Sequence, residues 1–248
     1  MSSLFRATLL AFLFLFSLVV QAASYDEMMI AVKLGDRGKV VELLNRGMDV
    51  DTSDIEGNTL LMIAAREGYL ELVELLVAGR ARLDARNMHG DCALSLAALE
   101  GRFSVVRHLV EAGARVNSEG WPPLAYAAFS GHAQMADYLL GHGANVNASS
   151  ENGITALMMA ARGGYLSIVQ RLVAAHADIR LQTDRGKSAL DWARENRHTH
   201  VVEFLERQLS GIRNQESEAG DRESEAGDQE SEAGDRESEA GDQESEGE

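Results

Sequence analysis

The sequence lacks most of the features that would point to a catalytic or metal-binding protein. It has one cysteine, Cys92, which cannot form a disulfide within the chain. It contains no Gly-x-Ser-x-Gly motif, no phosphate-binding loop and no zinc-ligand spacing. His198 and His200, two residues apart, would point to different faces of a helix, which is poor geometry for a metal. The sequence therefore predicts no enzyme activity, no metal site and no cofactor.

A hydrophobic run long enough to span a membrane is also missing. The apolar segment Ala7 to Val20 has fourteen residues, whereas a transmembrane helix needs about 20. It follows Arg6 and precedes the small residues of Val20-Gln21-Ala22, which is typical of a secretory signal peptide over residues 1–23. We expect cleavage near Ser24 and export to the periplasm, or secretion. An uncleaved signal anchor is the alternative.

The sequence also lacks an excess of positive charge. The formal net charge is −16, and Glu216 to Glu248 contribute −13 of it through eleven Glu, four Asp and two Arg, which leaves −3 for the rest. A nearly neutral folded part gives no electrostatic reason to bind nucleic acid. We therefore expect a protein partner, no nucleic acid, and no membrane contact once the signal peptide is removed.

The acidic end of the chain is a heptad repeat, Glu-Ser-Glu-Ala-Gly-Asp followed by Arg or Gln. It has no aliphatic residue larger than alanine, so it cannot bury enough apolar surface to offset the entropy of ordering. Because the a and d positions would be polar, the heptad length does not make it a coiled coil. The pattern predicts a disordered acidic tail over residues 213–248. The tail has two candidate functions, to keep the protein soluble or to bind calcium weakly.

What the sequence does contain is a longer repeat. The stretch Gly153-Ile154-Thr155-Ala156-Leu157-Met158-Met159-Ala160-Ala161 has counterparts thirty-three residues before and after it. Every step is thirty-three residues except one, which is three residues shorter. The copies begin at Gly57, Gly90, Gly120, Gly153 and Gly186.

This period and the Gly-x-Thr-Ala-Leu start resemble the ankyrin repeat, in the variant found in exported bacterial proteins. The resemblance implies an all-α solenoid of about six helix–turn–helix repeats with short β-hairpin fingers, spanning residues 25–212. No repeat can bury its apolar face alone, so the copies must stack. The expected repeats are 25–56, 57–89, 90–119, 120–152, 153–185 and 186–212, the first and last acting as caps.

Two positions of the repeat carry particular expectations. Thr59, Thr155 and Ser188 are residues that cap a helix N-terminus, and Cys92 takes the same position as a small buried residue or a reactive thiol. Arg80 and His176 stand where other outer helices end in glycine, so a left-handed backbone is expected there. The histidine of the family's Thr-Pro-Leu-His motif is replaced throughout, so its hydrogen bonds are expected to be absent. The replacements are Met62, Ser95, Ala125, Met158 and Asp191.

By resemblance, ankyrin proteins bind other proteins on a concave face built from the fingers and the ends of the inner helices. The chain is therefore expected to be a non-catalytic, monomeric interaction module. Its client would be an enzyme or a toxin, since exported bacterial relatives include immunity proteins. A secreted effector that binds host proteins and a membrane-tethered scaffold are the alternatives.

The repeat register places the middle repeats' largest exposed side chains on that face. Trp121 and Phe129 are expected to anchor the client. The alternative is that Trp121 folds back over the shortened hairpin and Phe129 packs between helices. The predicted contact residues are Met88, His89, Leu99, Trp121, Phe129, Ile154 and Arg162.

Overall fold

The structure, a computed structural model, describes residues 24–117 and 120–215. The predicted signal peptide and residues 216–248 of the predicted acidic tail lie outside the described residues. Within the described ranges there are twelve helices: α1 24–34, α2 Arg37–Asn45, α3 Leu60–Glu67, α4 Leu70–Ala78, α5 Ala93–Leu99, α6 Phe103–Glu111, α7 Pro123–Phe129, α8 Ala133–Gly141, α9 Ala156–Gly163, α10 Leu166–Ala174, α11 Ala189–Glu195 and α12 199–215.

The helices form two parallel series, as a stack of helix–turn–helix repeats requires. The inner helices α3, α5, α7, α9 and α11 each contact the next, and each of α3, α5, α7 and α9 packs on the outer helix that follows it. The predicted all-α repeat architecture is therefore confirmed. The described chain divides into two compact units, one ending at Val201 and one that begins at Val202 and holds the rest of α12. Helix α12 extends to residue 215, three residues past the predicted repeat boundary at 212.

The inner helices pack through small side chains. Ala64, Ala97 and Ala127 are fully buried, and such short side chains let neighbouring helices approach closely. Each outer helix turns a Leu or Val face inward, as in Leu72 and Val73 of α4, both at most 1% exposed. A buried leucine of this kind contributes about 1.5–3 kcal/mol relative to exposure.

The predicted N-terminal caps are present on α3, α9 and α11. The Thr59 hydroxyl accepts from the Met62 N–H at 3.2 Å, and Thr155 and Ser188 do the same for the residue three positions on. These bonds satisfy backbone donors that the first helical turn leaves without a partner.

The positions that lack the family's histidine are not without hydrogen bonds, contrary to the expectation above. The Ser95 hydroxyl accepts from the Cys92 N–H at 2.9 Å, and the Asp191 carboxylate accepts from the Ser188 N–H at 2.9 Å. Each is a capping box closed by a side chain at the third helical position. The bonds from Ser188 hold the pKa of Asp191 below its usual range.

The fingers are tight turns rather than extended ribbons. Among the described residues, single antiparallel bridges close three of them: Ser53–Thr59, Ser149–Thr155 and Gln182–Ser188. Successive fingers also bond to one another, since the Met88 N–H donates to the Glu56 carbonyl at 2.9 Å. This bond fixes the tip of one finger relative to the next.

The left-handed backbone expected after the outer helices is confirmed. Arg80 and His176 both have a φ of 64°, close to the positive φ of Gly47, Gly113 and Gly143 in the same position. Arg197 also has a positive φ, 61°, at the turn between α11 and α12. Among the described residues, no helix combines the length and apolar composition that crossing a bilayer requires.

Candidate functional site

The finger tips and the ends of the inner helices line a row of three pockets. We name them the Met88 pocket, the Ile154 pocket and the Arg162 pocket. Asn152 lines both of the first two, and Trp192 and Glu195 line both of the last two. The pockets therefore form one continuous strip, which we call the binding strip.

The Met88 pocket, of about 330 Å³, brings together Met88, His89 and Trp121, all predicted from the sequence. Met88 is 78% exposed although its backbone is tied to the neighbouring finger. The Asn87 carboxamide oxygen accepts the His89 N–H at 2.9 Å and so closes the tip of the same finger. The pocket thus presents exposed side-chain ends on a hydrogen-bonded backbone.

The Trp121 indole rests on the Tyr126 ring, with the ring centroids 5.5 Å apart and the planes 28° apart. Tyr126 is itself fixed, because its hydroxyl donates to the buried Asp91 carboxylate at 2.7 Å. Burial and this hydrogen bond raise the pKa of the Tyr126 phenol, so it stays protonated as a donor. Trp121 is therefore half-buried against its own repeat while it still lines the pocket.

Phe129 does not pack between helices, as the alternative above would require. It ends α7 with 42% of its surface exposed, and the Arg162 guanidinium lies over its ring at 6.0 Å from the centroid. The same guanidinium lies 5.8 Å from the centroid of Trp192. One cation thus stands between two aromatic rings from the neighbouring repeats.

Arg162 also has a fixed backbone. Helix α9 ends at Gly164 in a left-handed cap, and the His198 imidazole nitrogen lies 2.9 Å from the Arg162 carbonyl. Equivalent side chains cover the turn glycine of the preceding repeat along the stack. They are Tyr69, Arg102, His132, Tyr165 and His198.

The Ile154 pocket, of about 430 Å³, is the largest of the three. Ile154 and Trp192 supply apolar surface, and Lys187 and Glu195 form an ion pair beside them. Hydrogen bonding to Glu195 raises the pKa of Lys187 and so favours its charged form. The pair leaves this pocket with no net charge of its own.

Leu99 is the predicted site residue that neither lines a pocket nor makes an aromatic or cation–π contact with a residue that does, whereas Phe129 lines none but contacts Arg162. Leu99 ends α5 half-buried and lines none of the three pockets. Five of the seven predicted residues thus line the binding strip, and Phe129 borders it through its contact with Arg162.

Trp192 is the main residue that the sequence prediction missed. Its equivalents in the other repeats are Ile63, Leu96, Tyr126 and Met159, and the three aliphatic ones are buried. This pattern is typical of a core position. Trp192 is too large for that core and remains half-exposed, so side-chain size at a core position was the available signal.

The polar groups of the strip do not form a metal site. Within residues 24–117 and 120–215, no three His, Cys, Asp or Glu side chains lie close enough together to hold an ion.

Comparison with known proteins identifies the repeats. The family model described as "Ankyrin repeats (3 copies)" matches residues 28–120, 83–150 and 124–215. An ankyrin repeat and KH domain-containing protein of Caenorhabditis briggsae is 34% identical over 173 residues, 69% of this chain. Protein fem-1 homolog A-like of Mus musculus is 39% identical over 102 residues, 38% of this chain. The matches span only 5% and 15% of these relatives.

A chain in a solved structure resembles this chain over a larger share of the length of both chains. It is a chain from the complex of a predatory endopeptidase of Bdellovibrio bacteriovorus with an immunity protein. The similarity has a TM-score of 0.65 at 29% identity and covers 73% of this chain and 97% of the other. The chain belongs to the ankyrin-repeat family, whose repeats are protein–protein interaction modules and are generally non-catalytic.

Proposed function

We propose that this chain is a non-catalytic binding module, exported to the periplasm as a monomer, that holds one client protein along the binding strip. The observation that carries the proposal is the row of exposed and half-buried apolar and aromatic side chains that runs from the finger of Met88 to the last repeat. Met88, Trp121, Phe129 and Trp192 are its main members.

The composition of the strip supports this function. Trp, Met and Arg are enriched in the cores of protein interfaces, and a few such residues carry most of the binding free energy. Trp121 is held by Tyr126, and Arg162 is held between two rings. Because these side chains are already ordered, binding loses less conformational entropy than it would with flexible ones.

We propose an enzyme, of the peptidase class, as the client. The support is the similarity to a chain from an endopeptidase–immunity protein complex. The signal-peptide pattern of residues 1–23 supports export. Mass spectrometry of the N-terminus after cell fractionation tests export, and an intact Met1 segment on membrane-bound protein would contradict it.

The test of the binding site uses a client identified by cross-linking in a periplasmic extract and then purified. We expect Trp121→Ala and Phe129→Ala each to weaken binding by about 2 kcal/mol, roughly 30-fold, because each removes an aromatic anchor. Isothermal titration calorimetry measures the affinity, and thermal unfolding checks that the variants remain folded.

Ile55→Ala is the matched control. Ile55 is 89% exposed at the finger-tip position that Met88 occupies one repeat later, but it lines none of the three pockets. We expect this variant to bind normally. Normal binding by both Trp121→Ala and Phe129→Ala would place the site elsewhere on the protein.

A further inference from the structure

Arg162 differs from its counterpart in another repeat in one informative way. Arg66 ends α3 at the equivalent position and pairs with its neighbour Glu67, with Nε 3.3 Å from Oε1. In the repeat of Arg162, the residue equivalent to Glu67 is Gly163. The carboxylate that neutralises the first arginine is therefore missing beside the second.

The Tyr165 ring occupies the space beside that position. A Cβ atom added to Gly163 would lie 2.3 Å from the Tyr165 ring, far inside contact distance. The ring lies over the turn glycine of the preceding repeat, Gly131, as Tyr69 lies over Gly35 in the repeat that carries Glu67. Glycine at this position therefore leaves Arg162 without the neighbouring carboxylate that Arg66 has.

The other nearby acid is also committed. Glu195 lines the Arg162 pocket, but its carboxylate is paired with Lys187. Within the described residues, Arg162 makes no ion pair, and its guanidinium is flanked by the rings of Phe129 and Trp192. Aromatic faces hold a guanidinium by its plane and leave the N–H groups at its edge available to a ligand.

We propose that the Arg162 pocket is a subsite for a carboxylate, which a surface Glu or Asp side chain of the client supplies. The inference rests on the proposed function and adds the chemistry that the client must present. The pocket has about 330 Å³, enough for one such side chain, and Trp192 and Asn196 complete its walls. The guanidinium binds the carboxylate by charge-assisted hydrogen bonds. The aromatic anchors of the strip pack against the client's apolar residues next to that carboxylate.

The test measures the binding of two peptides to the full chain as exported. The two peptides differ in one chemical group. Both have blocked termini and a Leu on each side of the central residue, which is Glu in one and Gln in the other. We expect the Glu peptide to bind at least fivefold more tightly, because only it carries the charge. The indole N–H signal of Trp192 in an NMR titration reports binding at this pocket.

Matched variants test whether the preference for the Glu peptide depends on Arg162. Arg162→Met should abolish the preference for Glu over Gln, whereas Arg66→Met should leave it unchanged because Arg66 is already paired. Arg162→Lys should retain part of it, since a charge remains without the planar edge. Arg162 is exposed, so these variants should remain folded, and their melting temperatures check this.

Several results would overturn the proposal. They are equal binding of the two peptides, no binding of either at millimolar concentration, and an undiminished Glu preference in Arg162→Met. A larger NMR response to inorganic phosphate than to acetate would assign the pocket to a phosphate instead. Much tighter peptide binding after deletion of residues 216–248 would assign it to the protein's own acidic tail. A client that binds normally to Trp121→Ala and Phe129→Ala contradicts the proposed anchors, but the peptide preference still decides the carboxylate subsite.

Discussion

Single residues in this protein adopt backbone conformations that their side chains oppose. Arg80 and His176 have the left-handed φ that glycine supplies in the equivalent turns. A side chain with Cβ in that region costs about 1 kcal/mol relative to glycine. The stack imposes the turn geometry, and these two residues accept the strain.

Replacing either residue with glycine should therefore stabilise the protein. We expect Arg80→Gly and His176→Gly each to raise the free energy of unfolding by up to about 1 kcal/mol, offset in part by the greater freedom of glycine in the unfolded chain. Urea denaturation measures the change. Gly143→Ala is the reverse control, because it has a φ of 83° and no atom within 4 Å of an added Cβ, so it should destabilise by strain alone. Lower stability in both glycine variants would argue against strain at these positions.

Single residues also show which features could be predicted from the sequence and which could not. The backbone of Arg80 follows from register, since a repeat transfers the geometry of one turn to the next. The environment of Arg162 does not, because it depends on Phe129 and Trp192 from the two flanking repeats. The sequence places Arg162 and Phe129 at the ends of inner helices. It does not show that Trp192, at a core position, extends outward to meet them.

At the scale of elements, the fingers are held by both shape and hydrogen bonds. The Asp51 carboxylate accepts the Arg82 N–H at 2.8 Å, and Asp84 does the same for the Arg115 N–H at 2.9 Å. Each bond links the base of one finger to the following repeat. The Asp and Asn residues at the base of the fingers allow one to predict that side chains there accept backbone N–H groups. Which N–H group each one accepts depends on how the repeats stack. The shortened loop before Gly120 includes residues 118 and 119, which lie outside the described part of the chain.

The finger glycines allow a test of how closely the fingers approach. Gly153 has a φ of 74°, and a Cβ there would lie 3.2 Å from the Thr183 Cα in the next finger. Gly186 has a φ of 69° and no atom within 4 Å of an added Cβ. We expect Gly186→Ala to cost about 1 kcal/mol from strain, and Gly153→Ala to cost about 1 kcal/mol more because two backbones must separate.

Urea unfolding of the two alanine variants checks this difference. Their backbone strain is matched, so any excess at Gly153 reports the contact between fingers. Equal destabilisation would mean that the fingers can move apart without loss. A separation here would also widen the Ile154 pocket, since Asn152 and Thr183 both line it.

At the scale of the whole molecule, stability is a sum over neighbouring repeats. Each inner helix contacts the next, so the free energy of folding is spread along the stack rather than held in one central core. A segment contributes only where it packs on a repeat. The acidic residues 216–248 carry a net charge of −13 and no apolar side chain larger than alanine, so their composition offers nothing to pack.

Deleting residues 216–248 should therefore leave the melting temperature nearly unchanged, while it removes most of the net charge of −16. For a fold of this size, about 1 kcal/mol corresponds to a shift of roughly 2–4 °C. Calorimetry of the full chain and the truncated chain at low and high salt measures the effect. Salt separates two causes, because a charge interaction weakens as ionic strength rises and a packed contact does not. A fall of more than about 4 °C on truncation that persists at high salt would show that the acidic segment packs on the repeats, and a fall seen only at low salt would show that it neutralises their cationic groups.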